Sequence, residues 1–187
     1  MALLKIASAS YVMTCDQDDV WDADKIEVTL NEMRAHEVGA KPVLVCTDLR
    51  VVDEDLGLIS PSFVCYSSID SSNLSLGYFL ASSLVAGCTM MVNQSLLALL
   101  HEEVNSNNIF MHDWWAALLA SAFGEVVYID RATISYRQHG NNSMGATKPS
   151  IRKALTQLAS NRQVERAAVV QAEEFLRVFG NNLPLDH

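Results

Sequence analysis

Five aspartates, Asp16, Asp18, Asp19, Asp22 and Asp24, fall within nine positions directly after the apolar run Tyr11-Val12-Met13-Thr14-Cys15. Like charges that close repel and raise one another's pKa, so the fold must supply counter-ions or a bound cation here. Residues 10–15 read as a short buried strand, and Ala23 to His36 as a helix with Asp22 as its N-cap. Acid directly after a strand suits the carboxyl end of a strand in an open α/β sheet, where ligands bind. In an extended turn residues i and i+2 face the same way, so Asp16 and Asp18 can converge on one hard cation, Mg²⁺ or Mn²⁺. An acidic helix-capping loop is the alternative, because aspartate also suits a helix N-terminus.

Pro42 to Val52 predicts a second strand that ends in the acidic turn Asp53 to Gly57, completing a βαβ unit. Residues 60–73, rich in Ser and Asp and containing Pro61, predict a long surface loop. Beyond it the pattern predicts a helix over Leu74 to Leu84, a strand over Gly87 to Val92, and helices over Gln94 to Glu103 and Asp113 to Phe123. Two short strands, Glu125 to Ile129 and Thr133 to Tyr136, follow. This alternation defines an α/β domain with a mixed sheet flanked by helices. Residues 149–179 predict a long amphipathic helical stretch broken near Ser160-Asn161. The chain therefore divides into a domain over 1–147 and a helical extension over 148–187.

Composition narrows the function classes. Half of the 187 residues are hydrophobic and 19% are charged, which excludes a disordered chain. With 22 acidic and 13 basic residues the net charge is -9, so nucleic acid is an unsuitable partner. The charge is uneven: residues 1–147 carry 18 acids and 7 bases, residues 148–187 carry 4 and 6. Apolar runs such as Ala116 to Ala122 are far shorter than the roughly 20 residues that cross a bilayer, and the N-terminus does not read as a signal peptide. Cys15, Cys46, Cys65 and Cys88 are widely spaced, which predicts reduced, buried thiols and a cytoplasmic protein.

Tyr11 to Ile26, with Asp16-Gln17-Asp18-Asp19, Trp21 and Lys25, resembles the DQDD-x-W-x-x-x-K segment of glycosyltransferase family 2, in its rhamnosyltransferase-like branch. Four further segments match in the same order: Thr47-Asp48-Leu49, Gly87 to Asn93, His112-Asp113-Trp114-Trp115, and Tyr136 to Asn142. The resemblance covers about residues 11–145 and implies a GT-A (Rossmann-like) fold. It also implies metal-dependent, inverting transfer of a single sugar, possible rhamnose included, from a nucleotide-sugar donor to a saccharide or lipid-linked acceptor.

The resemblance further assigns roles. Asp18, Asp16 and His139 hold Mn²⁺ or Mg²⁺ against the donor diphosphate; Asp16, Asp19 and Arg137 bind the donor; Asp113 is the catalytic base. Arg137 pairing with an acid and Asp113 acting as a plain N-cap are the structural alternatives. Lys25 is read as a phosphate contact or a solvated helix lysine, and Trp114 and Trp115 as one sugar-stacking and one core ring. Gly87 is read as allowing close backbone approach to a ligand.

Family domains carry nucleoside-binding strands ahead of the D-x-D, whereas Asp16 stands near the start of this sequence. The expectation is a partial GT-A domain lacking its donor half, which argues against activity alone and favours pairing through an exposed sheet edge or the C-terminal helix. Lys148, Arg152, Lys153, Arg162, Arg166 and Arg177 suggest contact with the inner face of a membrane. The competing functions are a non-enzymatic assembly module of the same fold and, more remotely, a metal-dependent phosphatase, since Asp16 to Val20 fits D-x-D-x-V.

Overall fold

The structure is a computed structural model that describes residues 3–138 and 154–183. Its strands are β1 (Tyr11–Met13), β2 (Val20–Trp21), β3 (Val43–Val52), β4 (Leu58–Ser60), β5 (Met91–Asn93) and β6 (Glu125–Arg137). They form one mixed sheet in the order β1-β5-β3-β6-β2, with β4 pairing the end of β3. β3 lies parallel to β6 and antiparallel to β5. It is the central strand because Val43 to Leu49 are all buried, the continuous apolar pattern of a strand covered on both faces.

The period-two alternation of β3 separates two layers. Leu44 and Cys46 face a main core built with α4 (Gln94–Leu100) and α5 (His112–Phe123), while Val43 and Val45 face Met33 of α1 (Lys25–His36). Helix α5 is buried on all sides, as its near-complete lack of polar residues requires. Two shorter helices, α2 (Phe63–Ser67) and α3 (Leu76–Ala81), occupy the segment before β5.

Several expectations change. The two short strands after α5 are one thirteen-residue strand, with Asp130 and Arg131 exposed along it and register shifts against β3 near Asp48 absorbing the irregularity. Residues 60–73 are not a plain loop. Ser62 caps α2, its Oγ accepting the Cys65 N–H at 3.0 Å, and the buried Asp48 Oδ1 accepts the backbone N–H groups of Phe63 (3.1 Å) and Val64 (3.4 Å) at the same helix start. Gly87–Thr89 is a 3-10 turn, leaving only Met91–Asn93 as strand. Helix α6 (Ala154–Phe179) runs unbroken through Ser160-Asn161 and belongs to the main core: Phe175 and Phe179 pack on Trp115 and Phe123 at ring separations of 5.6–6.3 Å. Of the thiols, Cys46 and Cys88 are buried, but Cys15 and Cys65 are exposed; all four are free.

The largest departure concerns α1. Its buried stripe is Lys25, Thr29 and Met33, while Ile26 is 55% exposed. Lys25 is therefore neither solvated nor facing a phosphate. Its ammonium donates to Thr133 Oγ1 at 3.3 Å, lies 5.1 Å from the centroid of the Trp21 ring, and forms no ion pair among the described residues. Burial lowers its pKa, with the surrounding cysteines and Asp22 opposing the shift. A lysine with a depressed folded pKa costs stability below that pKa and regains it as pH rises through it. Lys25→Met is thus expected to be as stable as the parent chain at pH 7, or more stable by about 1 kcal/mol, because a shape-matched apolar group avoids the desolvation cost. Lys25→Ala leaves a cavity and is expected to lose about 3 kcal/mol. Urea denaturation checks both, and a Lys25→Met variant as weak as Lys25→Ala would show that the charge stabilises the fold.

Candidate functional site

The acidic run is divided by the fold into a structural and a cleft-facing group. Asp22 does not cap α1; its carboxylate pairs with the Arg50 guanidinium from β3. Asp24, at the N-cap position, makes no side-chain cap bond and pairs with Arg131 at 2.8 Å. These two ion pairs answer the crowding problem for two of the five aspartates, because each carboxylate gains an opposite charge. Asp16, Asp18 and Asp19 remain in the loop between β1 and β2.

That loop is held from below by Arg137 at the end of β6. Its backbone N–H donates to Asp19 Oδ1 (3.1 Å), its Nε to the Asp18 carbonyl (3.0 Å), and its Nη1 to the Glu54 carbonyl. These bonds make Arg137 a strut of the acidic loop. Asp19 Oδ2 is buried without a full hydrogen bond and lies with Asp16 and Cys88 in a group whose ligand atoms are all within 4.8 Å of one another. Burial lifts the Asp19 carboxyl above the ordinary range; the Arg137 N–H and the Cys88 thiol oppose the rise, and the charges of Asp16 and Asp18 add to it. Burial also pushes the Cys88 thiol up, so it stays protonated and offers no thiolate. The donor set thus suits a hard, oxygen-seeking cation, and the orphaned Asp19 oxygen is the atom such an ion would satisfy.

A cleft of about 1030 Å³ opens above this loop. Asp16, Asp18, His112 and Asp113 all line it. Helix α5 begins at His112, and Asp113 is 3% exposed, its Oδ1 accepting the Trp114 N–H at 2.7 Å. Burial raises its pKa above the usual carboxylate range, opposed first by the His112 imidazole and then by the N–H groups of Trp114 and Gly87. A buried carboxylate with that bias, at a helix start and open to a cleft, is suited to take a proton.

Gly87 packs against His112 and Asp113. A Cβ there would come within 2.9 Å of His112 Nε2 and 3.3 Å of Asp113 Oδ2, while the Gly87 carbonyl accepts the hydroxyl of Thr14 at the end of β1. The close approach expected of this glycine is therefore made to His112 and Asp113, within the protein. Trp115 is a core ring. Trp114, also buried, donates Nε1–H to the Phe79 carbonyl at 2.6 Å and still borders the cleft.

Of the residues the sequence singled out, Asp16, Asp18 and Asp113 share the cleft, Asp19 and Arg137 stand behind the acidic loop, and His139 lies outside the described residues. Of the basic C-terminal side chains, Lys148, Arg152 and Lys153 also lie outside them, and Arg177 is committed to Glu174 at 2.6 Å. Among the described residues no helix is long and apolar enough to cross a membrane. Sequence reading missed Thr14, Cys88, and the apolar lining Phe63, Ile69, Phe110 and Val164. Their types carry no chemical signature, and only the tertiary fold collects them.

No family model matches the chain. Its sequence is similar to that of the dTDP-rhamnosyl transferase RfbG of Shigella flexneri, with 27% identity over 150 residues. The match covers 73% of this chain and 45% of that protein, so the chain spans less than half the length of its curated relative. The similarity supports a distant, glycosyltransferase-like relationship.

Proposed function

We propose that this chain is the catalytic portion of a family 2 glycosyltransferase that moves one sugar, with inversion, from a nucleotide-sugar donor to a saccharide or lipid-linked acceptor. The observation that carries this reading is that Asp16, Asp18 and Asp113 line one cleft, with Gly87 packed against His112 and Asp113. Given the curated relative, the donor is a dTDP-linked deoxysugar, with dTDP-rhamnose the first to test.

In this reading Asp16, Asp18 and Asp19 would hold Mn²⁺ or Mg²⁺, and His139 would add a ligand. A cation bound there supplies neutralisation of the charge that grows on the departing nucleoside diphosphate. Arg137 keeps the carboxylate loop in place and adds positive charge beside the diphosphate. Asp113 takes the proton of the acceptor hydroxyl as that oxygen forms its bond to the anomeric carbon and the bond to the diphosphate breaks. Trp114 and Phe110, a ring pair 6.0 Å apart at the cleft edge, give the acceptor an apolar face.

Calorimetric titration of the full chain with dTDP-rhamnose, with and without Mn²⁺, tests this directly. Binding is expected only with the metal, and Asp16→Asn or Asp18→Asn is expected to weaken it by about tenfold or more. No binding with Mn²⁺ present, either by this chain or by a version that carries a nucleotide-binding segment ahead of it, or binding indifferent to both substitutions, would sink the reading.

A further inference from the structure

We propose that Gln171 and Glu174 of helix α6 are positioning residues of the candidate site, which makes the C-terminal helix a working part of the cleft. Both side chains are polar yet almost fully buried, at 1% and 3% exposure. Both reach the segment that leads from α4 into α5. Glu174 Oε1 accepts the Asn105 N–H at 2.7 Å, and Oε2 accepts Asn108 Nδ2 at 3.0 Å. Gln171 Oε1 accepts the Phe110 N–H at 3.1 Å. The three bonds span residues 105–110, and the chain then enters Met111, His112 and Asp113 with no intervening turn.

Each polar group has a reason to be there. Asn105 to Phe110 form a 3-10 turn and a linker whose backbone donors would otherwise go unpaired beside apolar residues. The Glu174 carboxylate answers these donors and is neutralised by Arg177, which donates from Nε at 3.1 Å and from Nη2 at 2.6 Å. The same segment supplies Ser106, Ile109, Phe110 and Met111 to the cleft wall, and α6 itself adds Val164. A shift of this segment moves the start of α5, and with it His112 and Asp113. Because Phe175 and Phe179 anchor α6 independently in the aromatic cluster, the clamp can be loosened without detaching the helix.

The catalytic meaning of the clamp rests on the role proposed for Asp113, but its existence is measurable without any substrate. Amide hydrogen exchange of the full chain is compared for Glu174→Gln, Gln171→Leu and, as a control that weakens the core alone, Phe179→Leu. The His112 imidazole signal is followed by NMR in the same samples. Exchange at Asn105 and Phe110 is expected to accelerate by about tenfold in the two clamp variants while β3 amides are unchanged, with the His112 signal displaced. Phe179→Leu is expected to accelerate core and loop together. Unchanged loop exchange, loop exchange that rises only in step with β3, or an unmoved His112 signal would each overturn the proposal. Failure to bind dTDP-rhamnose would bear on the transferase reading and leave these results standing.

Discussion

Asp113→Asn is expected to lower sugar transfer by about 10² to 10⁴-fold while leaving the fold at least as stable at pH 7. The asparagine keeps an oxygen to accept the Trp114 N–H, so the start of α5 is preserved. What it loses is the capacity to take a proton. The stability argument follows from the raised pKa of the buried carboxyl. A folded acid that holds its proton more tightly than the unfolded one carries no penalty at low pH and a growing one as pH rises through its folded pKa. The neutral variant never meets that penalty. Under the proposed role for Asp113, transfer should fall as pH drops through its raised pKa, above the range of an ordinary aspartate. A rate within tenfold of the parent chain, or a clear loss of melting temperature at pH 7, would refute this assignment of Asp113.

Gly124→Ala is expected to cause the largest loss of stability of any single methyl group added here, about 4 kcal/mol or more. Gly124 follows α5 and turns the chain into β6. A Cβ on it would lie 1.8 Å from the Pro42 carbonyl oxygen and 2.7 Å from the Pro42 carbonyl carbon. Both are backbone atoms, and that oxygen also accepts the Glu125 N–H at 3.0 Å where β6 begins beside β3. Relief therefore requires the start of the central parallel pair to separate, which a side-chain rotation cannot achieve. A loss of that size is comparable with the whole stability of many domains, so the variant should accumulate as unfolded chain. Gly77→Ala is the matched control, since a Cβ there meets only the Ser75 hydroxyl at 3.9 Å and α3 gains from alanine. Thermal melts of the two variants decide the matter; near-identical melting would mean that the β3–β6 entry can yield.

The elements that were readable had strong local patterns. The apolar run of Val43 to Cys46 predicted a strand and the apolar stretch after Asp113 a helix, and the structure has both, as a central strand and a buried helix. Elements set by distant partners were not readable. Helix α2 has its own cap in Ser62, but its start is also held by the Asp48 carboxylate, which meets Phe63 and Val64 from fifteen and sixteen residues away. The buried face of α1 was hidden because it contains a lysine, which composition assigns to solvent and the Trp21 ring and Thr133 draw inside.

The sequence by itself determined that the chain is an α/β domain and that acid would concentrate at the end of its first strand, because both follow from local order and period. It also marked Asp16 and Asp18 by residue type and spacing, and Asp113 through the family resemblance. Only the tertiary structure decided which aspartates are structural. Asp22 and Asp24 pair with Arg50 and Arg131, whereas Asp16 and Asp18 line the cleft. Only the fold brought the carboxylates and Asp113 to one cleft, and made α6 part of its lining. The physical reason is the same throughout: a charge's role depends on what stands within a few ångströms of it, and those neighbours come from remote parts of the chain.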